Sequence, residues 1–215
     1  MNMPIETTRL KAALAGLILL PLAAFGQTTS IVRQIDAGQM DLMSVPLVVA
    51  GGNTVSNVFP NVPDGSFFFF WDDAIQVWSA SQLSSKGWPS STGSRQLLPG
   101  EAFFFKPSGA YTAVLTGTAL MPPSYKPVAG GDKISVLGYF YPADISWTDT
   151  QLASQLPPGS LVSFWNRTNS SFRTTFLKAP AAKGGGWGAA AANYTVRAGD
   201  GFAVKVPGDD FNWAE

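Results

Sequence analysis

Apolar and polar residues alternate along this chain in short runs, and each run is opened by a turn. The densest is "PDGSFFFFW" (63–71), a Pro-Asp-Gly-Ser turn followed by four phenylalanines and a tryptophan. Strand side chains alternate faces, so Phe68 and Phe70 share one face while Phe67, Phe69 and Trp71 share the other. "LPGEAFFFK" (98–106), "PPGSLVSFW" (157–165) and "RAGDGFAVK" (197–205) have the same form, a glycine turn leading into a β-rich run. "AYTAVLTGTA" (110–119) is a further strand, rich in Val, Thr and Tyr. Two short helical turns are expected. One places Val55, Val58 and Phe59 on one side after Asn53 or Thr54 as cap; the other places Leu152 and Leu156 four apart after Thr148 or Asp149. The pattern predicts an all-β chain with little helix, built of antiparallel sandwich- or barrel-like units.

The runs occur twice. "VPDGSFFFFWDD" from Val62 matches "LPPGSLVSFWNR" from Leu156, and "LLPGEAFFFKP" from Leu97 matches "VRAGDGFAVKV" from Val196. Gly87-Trp88 answers Gly186-Trp187, and "LMSVPL" from Leu42 loosely answers "KISVLG" from Lys133. Residues 27–122 then form a first β-repeat and 123–215 a second, joined through the Pro- and Gly-rich "LMPPSYKPVAGG" (120–131). The repeats act as a control on each other. Phe68 and Phe70 are answered by Val162 and Phe164, so that face is core. Phe67, Phe69 and Trp71 are answered by Leu161, Ser163 and Trp165, so the opposite face is covered at its ends and wet in the middle.

The first residues change the picture of where the protein works. Arg9 and Lys11 precede an apolar stretch from Ala12 to Leu20, Pro21 breaks it, and Ala24 and Gly26 provide small residues for cleavage. This predicts a signal peptide over residues 1–26, and hence a secreted, periplasmic or cell-surface protein with no membrane span in the mature chain. The formal net charge is zero, which supplies no field for gathering phosphates, so nucleic acid is not an expected partner. There is no cysteine and no histidine. Disulfides, thiolate nucleophiles, zinc–cysteine sites and Ser-His-Asp or Cys-His catalysis are thereby excluded, and carboxylate-only chemistry stays open.

The motifs "LMSVPL", "FPNVPDGSFFFFWDD", "KGW" and "LLPGEAFFFK", with their weaker second set, resemble a duplicated module of secreted, uncharacterised bacterial proteins. The resemblance covers nearly the whole chain after the signal peptide. It implies a repeated β-module and brings no activity, cofactor or catalytic residue with it.

The two copies discriminate among the candidate sites. Glu101 and Asp200 follow Gly100 and Gly199 in both repeats. A repeated acid after a turn glycine serves the fold by accepting backbone N–H groups, and an acid–base pair is the alternative. Asp72-Asp73 and Asp209-Asp210 offer too few oxygens for calcium, so no metal is expected. Trp71 with Trp165 and Trp88 with Trp187 correspond and are expected to pack. Trp78, Trp147 and Trp213 have no aligned partner; with Phe69 they are the candidate stacking surface for a glycan or protein. The expected function is a non-catalytic structural or interaction module of the bacterial envelope or extracellular space, with a carbohydrate-binding module as the alternative and a protein or glycan as partner. No cofactor is expected.

The second repeat ends at "DDFNWAE", short of a full counterpart to "AYTAVLTGTA", so its last strand is expected to be shortened or missing. The expectation is an open sheet edge, paired by "TTSIVRQI" (28–35) within the chain or by a neighbouring copy, which would permit self-association.

Overall fold

The computed structural model describes residues 28–179 and 185–215; the predicted signal peptide lies outside the described residues. The chain is all-β and sandwich-like, with several antiparallel sheets and, among the described residues, no closed barrel. No helix among the described residues is long and apolar enough to cross a membrane.

The first half contains β1 (Thr28–Ile35), β2 (Asp41–Ser44), β3 (Leu47–Val49), α1 (Val55–Val58), β4 (Phe67–Asp72), β5 (Val77–Gln82), α2 (Ser90–Gly93), β6 (Ala102–Lys106) and β7 (Tyr111–Ala119). The second contains β8 (Tyr125–Val128), β9 (Ile134–Gly138), β10 (Ile145–Ser146), a 3-10 turn at Trp147–Asp149, α3 (Gln151–Gln155), β11 (Leu161–Asn166), β12 (Ser171–Lys178), β13 (Gly186–Trp187), α4 (Ala189–Ala192), β14 (Thr195–Val196), β15 (Gly201–Lys205) and β16 (Phe211–Ala214). The larger sheets run β2-β6-β4-β5 and β9-β15-β11-β12-β13, the same order with one added strand. Phe67 pairs with Lys106 in one and Leu161 with Lys205 in the other, so positions correspond strand by strand.

In the first half, Phe68, Phe70, Phe103 and Phe105 face β1, β3 and β7, with Phe59 below α1 touching three of these rings. In the second, Phe164 and Phe202 pack with Val162, Val204, Trp147 and Trp213. The exchange of volumes is mutual. Val162 and Val204 stand where Phe68 and Phe105 stand, and two tryptophans supply the lost bulk. Trp147 takes the place of Val55: the N–H of each donates to an equivalent carbonyl, Tyr194 or Arg95. Trp213 takes the place of Ala113, opposite Lys126 as Ala113 is opposite Arg33. Cores tolerate such changes when total volume is kept.

Three expectations about strand pairing are corrected. Segment 28–35 pairs with β7 of the first half along its full length, Thr28 to Thr118 and Ile35 to Tyr111. Its inward residues Ile31 and Ile35 belong to the first core, and β7 is long enough to receive them. The second half's last strand is shortened, one of the two outcomes expected, but its edge is not left for β1: β16 pairs with β8, and the Glu215 carboxylate beyond it accepts the Gln151 N–H of α3. Finally, Ser44 corresponds to Gly138 and not to Ser135, because Ser44 pairs with Ala102 and Gly138 with Gly201. Register on the central strand outweighs likeness of letters. The helix caps also differ from expectation in the second half, where Thr150 accepts the Ala153 N–H, while Thr54 caps α1 as expected.

The remaining faces of the two large sheets meet. Leu42, Ala102 and Phe104 pack with Val136 and Ala203, flanked by Phe69, Trp71, Trp78 and Trp165. The contacts are reciprocal. The Ser44 N–H donates to the Gly199 carbonyl and the Gly138 N–H to the Gly100 carbonyl. Trp71 Nε1 donates to the Ile134 carbonyl and Trp165 Nε1 to the Met40 carbonyl, both at 2.9 Å. The halves therefore meet about a local two-fold axis, the geometry of an isologous dimer within one chain.

Candidate functional site

A cleft of about 750 Å³ opens beside this junction. It is formed by β1, the turn into β2, the β11–β12 hairpin and the segment before β15. Arg33 lies on the inward face of β1 between Ile31 and Ile35, where alternation calls for an apolar residue. It is 8% exposed, and Asp41 on β2 is 1% exposed. Arg33 Nη1 donates to Asp200 Oδ1 at 2.6 Å, and Nη2 donates to Asp41 Oδ2 at 3.1 Å. Arg167, from the hairpin of the other half, brings its Nε to 3.3 Å from Asp41 Oδ1. Its Nη2 donates to the Gln34 carbonyl and to Gln39 Oε1. The network thus spans both halves.

Burial sets the protonation behaviour of these groups. It would lower the Arg33 pKa, but the charges of Asp41 and Asp200 more than offset that, and the guanidinium stays protonated. Burial pushes the Asp41 carboxyl up, against the pull of Arg33 and Arg167. Tyr194 stacks on Phe164, centroids 3.7 Å apart, and burial pushes its phenol up to about 12. Among the described residues, Arg173 and Arg197 line the same cleft, are exposed, and have no acidic partner. The Nε atoms of Arg33 and Arg167 are buried donors without a hydrogen-bond partner.

The expected stacking residues divide. Trp147 and Trp213 are 0% exposed, edge-on to Phe202 and beside Phe140 respectively; neither presents a face to a ligand. They are withdrawn as binding residues, because their bulk replaces that missing from Val162 and Val204. Phe69 and Trp78 are half-buried and each packs against the junction cluster, Trp78 lying 5.2 Å from Trp71 and 4.9 Å from Phe104. Of the repeated tryptophans, Trp88 is edge-on to Phe68 and Trp187 edge-on to Trp147.

Gly100 and Gly199 hold φ of +74° and +79°, a region open to glycine at little cost. The acids after them cap their turns: Glu101 Oε2 accepts the Leu98 N–H and Asp200 Oδ2 the Arg197 N–H, each at 3.1 Å. Asp72 accepts the N–H groups of Ala74 and Ile75, and Asp210 that of Gly130. The residues sequence reasoning missed are Arg33, Asp41 and Arg167. The signal was present for Arg33 alone: a charge set between Ile31 and Ile35 on the inward face of a strand.

The chain matches no protein-family profile, no curated protein and no solved structure.

Proposed function

We propose that the chain is a secreted, non-catalytic binding module of the bacterial envelope or extracellular space, built from two copies of one β-module. The observation that carries the reading is the condition of the acids deepest in the cleft. Asp41 is held by Arg33 and Arg167, and Asp200 by Arg33 and the Arg197 N–H. Carboxylates engaged in this way orient guanidinium groups; they do not deliver protons. Apart from the exposed Asp36, the other polar groups around them are arginines, amides and hydroxyls, which hold a ligand without transforming it. Equal sheet order and reciprocal junction contacts favour the two-copy origin. Secretion rests on the N-terminal sequence, and the motif resemblance agrees with it.

A carbohydrate-binding module is the second reading. Asn166, Asn193 and Thr195 in the cleft favour it, since amides and hydroxyls match sugar hydroxyls. The test is a reducing-end assay on envelope and extracellular polysaccharides, run with a sedimentation assay for retention on the same polymers. Retention or protein capture without new reducing ends is the expected result. New reducing ends that vanish in Glu101→Gln or Asp200→Asn would overturn the non-catalytic reading. Mass spectrometry of the mature protein from a bacterial host should place its first residue after Gly26.

A further inference from the structure

We infer that the cleft between the halves binds an acidic oligosaccharide, with its anionic group on Arg173 and Arg197. The inference rests on the non-catalytic binding reading above and gives it a site and a ligand class. Three observations converge. First, the cleft carries guanidinium groups in two states. Arg33 and Arg167 are spent on Asp41 and Asp200, whereas the guanidinium groups of Arg173 and Arg197 stand exposed in the same lining with no ion pair among the described residues. An exposed arginine pair offers paired N–H donors that suit a carboxylate or a sulfate. Second, Arg33 is nine-tenths buried in the lining and both its terminal nitrogens are held by Asp41 and Asp200, so the wall beside the exposed arginines is fixed before a ligand arrives.

Third, the fold does not require these charges. Arg173 pairs with Phe164, and the corresponding residue opposite Phe70 is Ser79. Arg197 donates its N–H to Asp200, and the residue donating to Glu101 is Leu98. Where the second half has Arg167, two places beyond Trp165, the first has Asp73, two places beyond Trp71. A group common to both halves serves the shared fold; these arginines occur in one half only.

The rest of the lining selects the ligand class. The cleft falls in the size range of small-molecule sites, about 300–1,000 Å³. Asn166, Asn193 and Thr195 supply amide and hydroxyl groups, and the rings of Trp165 and Tyr194 add flat surface. Hydroxyls beside an anion, against an aromatic wall, describe a uronate or sulfated sugar. An extended polyphosphate is disfavoured by the zero net charge of the chain, which gives no field along which a long polyanion would track.

The test is isothermal titration of the full chain with trigalacturonate, a sulfated disaccharide, neutral galactotriose and a single-stranded DNA oligonucleotide. The inference expects one or both acidic sugars to bind at least tenfold tighter than galactotriose; which of the two binds tighter identifies the anion. Replacing the exposed pair, Arg173→Gln with Arg197→Gln, should weaken the acidic sugar at least tenfold and leave the thermal midpoint unchanged. Ser79→Gln with Leu98→Gln, the corresponding positions of the first half, should leave binding unchanged. Equal binding of galactotriose, undiminished binding by the arginine variant, or tighter binding of DNA than of either acidic sugar overturns the inference. Absence of any saccharide binding also overturns it and leaves the non-catalytic reading standing. Release of new reducing ends from polygalacturonate overturns that reading instead.

Discussion

One pair of corresponding positions separates the two halves. Arg95 in the first lies over the Phe70 ring, 4.1 Å from its centroid, and pairs with the turn acid Glu101 at 2.5 Å. Tyr194 in the second stacks on the Phe164 ring and brings no charge to Asp200. An aromatic ring accepts a guanidinium or a phenol face with similar ease, so the packing survives the exchange. The turn acid cannot be left without its partner at the same ease. Asp200 takes Arg33 from across the junction, and that reach recruits Asp41 and Arg167. The charge that Tyr194 does not supply within one half is supplied by Arg33 of the other, and the cleft lies beside that pair.

The largest effect is expected where this difference is buried. Arg33→Ala leaves Asp41 in the interior with Arg167 alone, and should cost about 3–5 kcal/mol in urea unfolding. Lys126→Ala, at the corresponding place in the second half, should change stability by no more than about 0.5 kcal/mol. A similar cost for both would remove the distinction between the halves.

The local axis offers the next test. At a two-fold, equivalent atoms meet each other, and two Cβ atoms cannot share one place. A Cβ on Gly138 would lie 2.1 Å from the Ser44 Cβ, and one on Gly201 would lie 2.7 Å from the Ala102 Cβ. In each pair one member is glycine. Phe104 and Ala203 divide large and small in the same way. Gly138→Ser makes the axis symmetric and should cost about 1–3 kcal/mol by overpacking. Adding Ser44→Gly should return most of that stability, because the composition of the pair is restored with its members exchanged. A double variant no more stable than the single one would show that the contact is not reciprocal.

Trp71 and Trp165 make like bonds in unlike company. The Ile134 carbonyl also accepts from Gln76 Nε2 at 3.0 Å, whereas for the Met40 carbonyl Trp165 is the side-chain donor found. Trp165→Phe should therefore cost about 1 kcal/mol and Trp71→Phe less, read from the same unfolding curves.

The smallest effect is confined to alkaline solution. Burial raises the phenol of Tyr194 to about 12, above its ordinary value of 10.0. Between those limits the unfolded chain gives up that proton and the folded chain keeps it, so stability falls as pH rises from about 10 to 12. Burial also raises Tyr111, Tyr139 and Tyr141, so Tyr194→Phe should flatten part of the fall and remove one of several late titrations at the phenolate band. Below pH 9, with no histidine in the chain, ligand affinity should stay level down to the range where carboxylates take up protons.

The strands, their turns and their inward faces could be read directly from the chain. Period-2 alternation places Phe68 and Phe70 inward, and glycine before Glu101 and Asp200 places an acid where a turn has free N–H groups. These are local consequences of backbone geometry, and neighbouring residues decide them. The partners of β1 and β16, the register of Ser44 with Gly138, and the use of Trp147 and Trp213 were decided by tertiary packing. Each depends on volume and edge length supplied by residues far along the chain: a missing phenylalanine on β11 or β15 is made good by a tryptophan on another element. The cleft is the extreme case. Arg33, Asp41, Arg167 and Asp200 come from four separate segments and both halves, and none of the four segments contains a motif that names the others. Sequence spacing carries information about faces and turns, whereas a buried ion pair between distant strands exists only once docking removes water from both charges.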